Sequence, residues 1–369
     1  MDRSEEFAVK LARVERFLAE NGLKGALLAR SDNFAWLGCG GSNVVDSSQE
    51  TGVAALAVRK GRVTLIANNI EAERLLTEEL DGLDVAATEV FPWHEPARRA
   101  AIIKRLAARG RFAADDGSAG LPALPDGFPR LRYALTETEI ERYRVLGRDA
   151  AAAVESAGRD VEQGITEADV AALTAAECLE RSIAPIVLLV AADERIRSWR
   201  HPIVKTTPVE RCVMIVICGR RQGLVAAATR MLHFGPLPDD LRERHRAVCA
   251  VDATMMWATV PGRPVSEVFV EAQQAYAAIS FPDEWQLHHQ GGAIGYQPRE
   301  YIATPDCPEV VQPGQAFAWN PSIRGTKSED TMLATGDGPV PLTAPGTDWP
   351  VVRIEKEDAT LERADILVK

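Results

Sequence analysis

The sequence predicts two domains of different class, an α/β domain followed by an α+β domain. The chain has 369 residues, and a single hydrophobic core stops growing at roughly 250–300 residues. Short apolar runs alternate with helical patterns in the first third of the chain, whereas helical patterns precede a block of short apolar runs in the rest. Residues 117–134 are rich in proline and glycine and are the candidate linker. We therefore expect domains at residues 1–133 and 134–369.

The predicted elements of the first domain begin with an amphipathic helix. Phe7, Leu11, Val14 and Leu18 have helical spacing, and the helix is expected to end near Asn21-Gly22. The later elements are a strand at 25–29, a loop at 31–43, a strand pair at 53–58 and 63–67, helices over Glu71–Leu80 and Glu95–Arg109, and a strand at 111–116.

The second domain is predicted to open with helices and to end in strands. Thr136 and Thr166 each precede an acidic residue by three positions, a pattern typical of a capping box at the start of a helix. The predicted elements are helices to about Ala157 and Arg181, strands over Ala184–Val190 and Cys212–Cys218, a helix over Pro264–Ile279, and antiparallel strands from His288 onward.

Composition excludes several classes of function. The net charge of −11 argues against nucleic-acid binding and against attraction to anionic membranes, because both require basic surface. No apolar run is long enough for a membrane span, and the charged N-terminus lacks the features of a secretory signal. The six cysteines form no CxxC pair, which favours free thiols in a reducing cytoplasm. We therefore expect a cytoplasmic protein without nucleic-acid or membrane partners.

The segment 287–300, LHHQGGAIGYQPRE, concentrates residues suited to chemistry. Imidazole suits proton transfer near neutral pH, since its unperturbed pKa is about 6.5. The glycines after His288 and His289 allow a ligand or a strand to approach the backbone closely. Neighbouring residues of a strand point to opposite faces, so only one of these histidines is expected to face a given cleft, and His289 is expected to face away. A structural histidine in a glycine-rich turn is the alternative interpretation.

Several short motifs occur in an order that resembles one known family. They are GALLARSDNFAWLGC at 25–39, LTETEIERYRVLGRDAAAAVE at 135–155, His201-Pro202, Thr229-Arg230, His288 with Gly291, Phe317–Pro321 and Lys327–Asp330. In this order they resemble the creatinase, prolidase and aminopeptidase P family. The resemblance implies an α/β N-terminal domain and an α+β pita-bread domain with a curved antiparallel sheet.

The chain departs from the family at the metal ligands. Metal-dependent relatives hold two divalent cations with two aspartates, one histidine and two glutamates. The corresponding residues here are Val216 or Ile217, then Ala227, His288, Asn320 and Glu329. A catalytic zinc site has three protein ligands and hard cations need several carboxylates, so two remaining ligands cannot hold a dinuclear cluster. We predict no functional metal and no other cofactor.

The resemblance to creatinase, in which a histidine does acid/base work without a metal, suggests the site residues. His288 is the predicted catalytic acid/base, and Glu329 is predicted to orient it. The predicted substrate-binding residues are His201, Asn320, Arg230, Arg299 and Tyr296. Asn320 offers a neutral amide, and the arginines suit a substrate carboxylate. Structural or solvated roles are the alternative for each.

The predicted function is a metal-independent, creatinase-like hydrolase that cleaves a C–N bond of a small amidino, amide or imino-acid-like compound. The alternatives are a catalytically inactive pita-bread binding protein and an Xaa-Pro dipeptidase or aminopeptidase. The expected partners are a small-molecule substrate and, from the habits of the family, a second copy in a homodimer.

Overall fold

The computed structural model describes residues 1–108, 110–357 and 359–369, which form two compact units. The N-terminal unit comprises Met1–Arg132 and Thr136–Thr138, and the C-terminal unit comprises Tyr133–Leu135 and Glu139–Lys369. Among these residues, no helix has the length and apolar character needed to cross a membrane.

The N-terminal unit is a mixed sheet with helices. Its elements are α1 (Arg3–Glu20), β1 (Gly25–Arg30), α2 (Ser31–Leu37), β2 (Thr51–Arg59), β3 (Arg62–Asn68), α3 (Ala72–Arg74, continued by a π-helical turn Leu75–Glu79), β4 (Val85–Phe91), α4 (Pro96–Ala107) and β5 (Phe112–Ala114). The strand order is β4-β3-β2-β1-β5, with parallel pairs at both ends and antiparallel pairs between them. Asp2 starts α1 with a capping box.

Two features of this unit differ from the sequence prediction. Residues 31–37 form the buried helix α2 instead of a loop. The guanidinium of Arg132, distant in sequence, bonds the side chain of Asn33 and lies 3.5 Å from the Asp32 carboxylate, so a tertiary contact helps fix a segment of weak helical propensity. Strand β4 was not predicted, and the expected helix end at Arg109 lies outside the described residues.

The C-terminal unit holds most of the helices and a larger sheet. Its helices are α5 (Glu137–Asp160), α6 (Glu167–Glu180), α7 (Glu194–Ser198), α8 (Asp239–Ala258) and α9 (Val265–Ala278). Its strands are β6 (Ala184–Ala192), β7 (Cys212–Arg221), β8 (Leu224–His233), β9 (Gly291–Ile294), β10 (Tyr301–Ile302), β11 (Ala316–Trp319), β12 (Ser322–Ile323), β13 (Thr326–Lys327), β14 (Asp330–Thr335), β15 (Gly338–Pro341), β16 (Val351–Lys356), β17 (Ala359–Ala364) and β18 (Leu367–Val368).

The principal sheet of this unit runs in the order β10-β9-β11-β14-β8-β7-β6 and is antiparallel along that path. Helices α8 and α9 share a core with β9, β11 and β14. Phe317 and Trp319 alternate along β11 and point into this core, where their rings stack with centroids 5.4 Å apart. Helices therefore cover one face of an antiparallel sheet, which confirms the predicted α+β class.

One helix of this core departs from the sequence prediction. Helix α8 was not predicted, although it contributes Val248, Val251 and Met255 to the core. Its first turns are strongly charged, DDLRERHR, so its apolar face is confined to the second half. Trp319 of β11 also lies in this core, and its indole N–H donates to Thr259 at 2.9 Å.

A chain of buried charges lies between the sheet and the helices. The Asp330 carboxylate contacts Arg230 at 3.0 Å and Arg363 at 2.7 Å. Arg230 also bonds Glu155 of α5 at 2.9 Å, and Arg363 bonds Asp252 of α8. All five side chains are almost inaccessible to solvent. Because a buried charge is tolerated only with its partners, this network fixes α5, α8, β8, β14 and β17 relative to one another.

Arg230→Met tests this network. The substitution leaves Glu155 and Asp330 short of a counter-ion in the interior, and we expect it to lower the free energy of unfolding by about 3–5 kcal/mol. Urea denaturation followed by circular dichroism measures the loss. The matched control is Arg353→Met, whose ion pair with Glu362 is exposed and should be worth less than about 1 kcal/mol. Equal effects of the two substitutions would contradict the assigned role.

Candidate functional site

Three histidines from two segments meet in the C-terminal unit. His201 lies in the loop after α7, and His288 and His289 lie between a short turn, Glu284–Leu287, and β9. The Nε2 atoms of His201 and His288 are 3.0 Å apart. The ring of His289 is 4.5 Å from that of His288 and 5.5 Å from that of His201, measured between centroids. We refer to His201, His288 and His289 as the histidine cluster.

The position of His289 corrects a prediction. Alternation along a strand was expected to turn it away from His288, but β9 begins only at Gly291. His288 and His289 therefore precede the regular strand, and the alternation rule does not apply to them. Gly291 has φ +95°, and a Cβ there would collide with the carbonyl oxygen of Ala318 on β11. The glycine thus allows close approach of the neighbouring strand, as predicted.

Buried polar contacts hold His288 in place. Its Nδ1 lies 3.4 Å from the Ser322 hydroxyl, and its carbonyl accepts a hydrogen bond from the Gln290 side chain. The Tyr276 hydroxyl donates to Gln290 Oε1 and accepts from the Ser322 backbone N–H, each at 2.9 Å. Tyr276 of α9 therefore ties together both partners of His288.

An ion pair joins the two segments that carry the cluster. The Arg200 guanidinium, next to His201, bonds the Glu284 carboxylate in the turn before His288. Both side chains are largely buried, at 19% and 18% exposure, so the pair is shielded from solvent. It fixes the spacing of the histidines.

The Glu329 carboxylate lies near the cluster and is bound by three other side chains. It contacts the Lys327 ammonium at 2.8 Å, the Arg299 guanidinium at 3.1 Å and the Thr229 hydroxyl at 2.8 Å. Burial alone would raise its pKa, but the two cations lower that pKa to about 2. The predicted bond from Glu329 to His288 is absent among the contacts of the described residues. Glu329 influences the histidines through its charge.

Burial and neighbouring cations keep the histidines neutral. Burial is the main cause that lowers the pKa of His288 to about 2, with Lys327 as the next cause. The pKa of His289 falls to about 4 through burial and then Arg299. The pKa of His201 is also lowered, mainly by burial, although its side chain is the most exposed of the three. The negative charge of Glu329 opposes each shift without cancelling it.

The wall of the site on β7 and β8 is apolar. Thr229, which bonds Glu329, pairs with Val216 across the two strands, and Ala227 pairs with Cys218. Paired and alternate residues share a face, so Val216, and not Ile217, lies on the side of Glu329. Burial raises the pKa of the Cys218 thiol to about 11, so it is no nucleophile. These side chains supply no carboxylate, and the dinuclear metal centre implied by the family does not fit here.

Asn320 has an unsatisfied acceptor close to the cluster. The backbone N–H of Asn320 donates to the carbonyl of Gln290 at 3.1 Å. Asn320 therefore lies beside Gln290, the residue after His289. Its side chain is buried, and its Oδ1 has no hydrogen-bond partner in the described part of the chain. A buried acceptor left unpaired costs about 1–3 kcal/mol, so a ligand N–H there would be favourable.

Two predicted substrate-binding residues are placed elsewhere. Arg230 is 1% exposed and belongs to the buried charge network behind the sheet. Tyr296 is fully buried, and its hydroxyl donates to Glu139 at 2.6 Å. In both residues the polar groups that were expected to meet a substrate instead bind the protein.

Other residues of the site were missed. Lys327 contacts Glu329 at 2.8 Å, and opposite charges two positions apart were a signal available in the sequence. Ser322 and the Arg200–Glu284 pair carried no such signal, because their partners are distant in sequence.

Comparison with known proteins agrees with this architecture. Residues 141–357 match the profile of metallopeptidase family M24, which is more than half of the chain. No curated protein matches the sequence.

Solved structures match nearly the whole chain. An Xaa-Pro dipeptidase from Bacillus anthracis matches with TM-score 0.77 and 16% identity over 98% of this chain and 99% of its own. An X-Pro aminopeptidase from Thermotoga maritima MSB8 matches with TM-score 0.74 and 16% identity over 100% of both chains. The N-terminal domain of the FACT complex subunit SPT16 from Cicer arietinum matches with TM-score 0.72 and 12% identity over 93% of this chain and 97% of its own.

At these identities the structural likeness establishes the fold and not the activity. The predicted pita-bread fold, with an N-terminal domain and a curled antiparallel sheet, is confirmed. Together with the matched profile, this identifies the chain as a member of metallopeptidase family M24.

Proposed function

We propose that this member of the family is a hydrolase that cleaves a C–N bond of a small amidino, amide or imino-acid-like compound without the dinuclear metal centre of the family. The observation that carries the proposal is the 3.0 Å contact between the Nε2 atoms of His201 and His288. At that distance the two imidazoles share one proton, since one nitrogen donates and the other accepts.

The contacts of His201 and His288 support different roles for the two residues. The roles of the nitrogens depend on the tautomers. With the proton of His288 on Nδ1, facing Ser322, its Nε2 accepts from Nε2–H of His201. Nδ1 of His201 then carries a lone pair, and no hydrogen bond occupies that atom among the described residues. This modifies the sequence prediction: His201 acts on the substrate, and His288 acts through His201.

The proposed reaction is general acid/base hydrolysis. His201 takes a proton from water while the water oxygen attacks the carbon of the C–N bond. The resulting imidazolium, stabilised by its contact with His288, then gives a proton to the departing nitrogen, and the C–N bond breaks. The Asn320 Oδ1, buried and unpaired, would accept an N–H of the substrate. Arg299, at 15% exposure, remains a candidate for a substrate carboxylate.

A metal-dependent Xaa-Pro peptidase has less support, because Val216, Ala227 and Asn320 stand where the resemblance expects carboxylates. Other parts of the proposal come from the sequence: the domain boundary at 133/134, assembly as a homodimer, and a cytoplasmic location. The location fits the cysteines, which are buried and free in the described residues.

The first test is turnover of a panel of small amidino, amide and imino-acid compounds by the full chain. We expect activity that a chelator does not abolish, and a loss of about 10²–10⁴ in kcat for His201→Ala, because the proton-transfer group is removed. His94→Ala is the matched control, since His94 is an exposed histidine of the N-terminal unit.

Activity that a chelator abolishes and Mn²⁺ restores would contradict the proposal and favour a metallopeptidase. Saturable ligand binding without turnover would also contradict it and would favour a binding protein.

A second test concerns the charge at Glu329. Glu329→Gln leaves Lys327 and Arg299 without their counter-ion, and we expect a loss of about 3–5 kcal/mol in the free energy of unfolding at neutral pH. The native pKa of about 2 is below the ordinary value of 4.5, so the stabilisation is complete above pH 4.5 and is lost as the pH falls toward 2.

The difference in unfolding free energy between the parent chain and Glu329→Gln should therefore shrink over this pH range in urea titrations. Glu362→Gln, at the exposed Arg353 pair, is the control and should have little effect at any pH. A difference that stays constant or grows on acidification would show that Glu329 is not held as a carboxylate.

A further inference from the structure

The histidine cluster has the composition and spacing of a metal site that the family does not use. One nitrogen from each of His201, His288 and His289 can be chosen so that all three lie within 4.8 Å of one another. Tetrahedral zinc with imidazole ligands at about 2.0–2.1 Å holds those nitrogens roughly 3.3 Å apart. The His201–His288 separation of 3.0 Å is close to this value, and only His289 must move inward.

The contacts around the histidine cluster are of the kind that hold metal ligands in place. Ser322 lies against Nδ1 of His288, the kind of outer contact that orients a ligating imidazole. The Arg200–Glu284 pair fixes the two segments that carry the ligands. Three histidines leave the fourth position of a tetrahedral ion open, and His201 is exposed, so solvent can reach it.

The charged groups around the cluster select the kind of ion. Lys327 and Arg299 repel a cation, whereas Glu329 attracts one but is already bound to both. The donors that remain are neutral imidazole nitrogens. Such ligands suit Zn²⁺, Co²⁺ or Cu²⁺, whereas Mg²⁺, Ca²⁺ and Mn²⁺ prefer oxygen ligands.

We propose that His201, His288 and His289 bind a single Zn²⁺-type ion, and that this ion and the proton-transferring His201–His288 pair exclude one another. The exclusion follows because the ion needs the same imidazole lone pairs that the pair uses to pass a proton. The binding site stands on geometry alone, and only the exclusion rests on the proposed function. The prediction of a chain without metal considered the carboxylate positions of the family and overlooked His201 and His289 as ligands.

The test is direct metal binding by the full chain. Calorimetric titration with Zn²⁺ should give one equivalent bound, and Co²⁺ should give the visible absorption of a tetrahedral site. His289→Ala should weaken binding by more than about tenfold, because it removes one of three ligands. His94→Ala should not change it. Circular dichroism checks that each variant is folded. Absence of saturable one-to-one binding, or equal affinity of His289→Ala and the parent chain, would overturn the site.

Activity measurements separate this inference from the proposed function. Inhibition of turnover by one equivalent of Zn²⁺, weakened in His289→Ala, would support both. Zinc binding that raises turnover would overturn the exclusion and the metal-free mechanism while leaving the site intact. Chelator-resistant turnover that depends on His201, in a chain that binds no zinc, would overturn the site and leave the proposed function intact.

Discussion

The site depends on one buried carboxylate, Glu329, and on the two cations that hold it. Lys327 and Arg299 bind this carboxylate together with the Thr229 hydroxyl, so a metal ion or His288 would have to compete with these partners for its oxygens. Burial, and after it these cations, lowers the pKa of His288 and His289 and keeps both imidazoles neutral. Lys327 and Arg299 thus stand beside the carboxylate at a position where the sequence resemblance expects a metal ligand. Under the proposed function, the proton transfer falls to the histidine cluster.

Asp330, the residue after Glu329, connects the site to the buried charge network of the fold. Glu329 bonds Thr229 and Asp330 bonds Arg230, and because Thr229 and Arg230 are neighbours within β8, the two acidic side chains lie on opposite sides of the sheet. Glu329 faces the site, whereas Asp330 joins Arg230 and Arg363 in the buried network on the helical side. One short segment, Lys327–Asp330, therefore sets the charge of the site and ties the sheet to its helices.

The sequence allowed the fold class and most elements to be predicted, because these depend on local patterns. The capping box at Thr166 and the strand pair around Lys60-Gly61 are local signals, and the structure contains both. The residues of the site were harder to predict. Arg230 bonds Glu155, Asp330 and Thr343, which are 75 to 113 positions away, and Tyr296 bonds Glu139, 157 positions away. Local sequence cannot show that such side chains are already paired. His289 was misplaced for a different reason, since the strand starts two residues after it.

The central claim is that the Glu329 carboxylate binds no metal ion. Anomalous X-ray diffraction from crystals of the full chain equilibrated with Zn²⁺ tests this claim most directly. The account predicts a single anomalous peak among His201, His288 and His289, and no peak within coordination distance of Glu329. A metal ion bound to the Glu329 carboxylate, with Lys327 or Arg299 displaced, would contradict it.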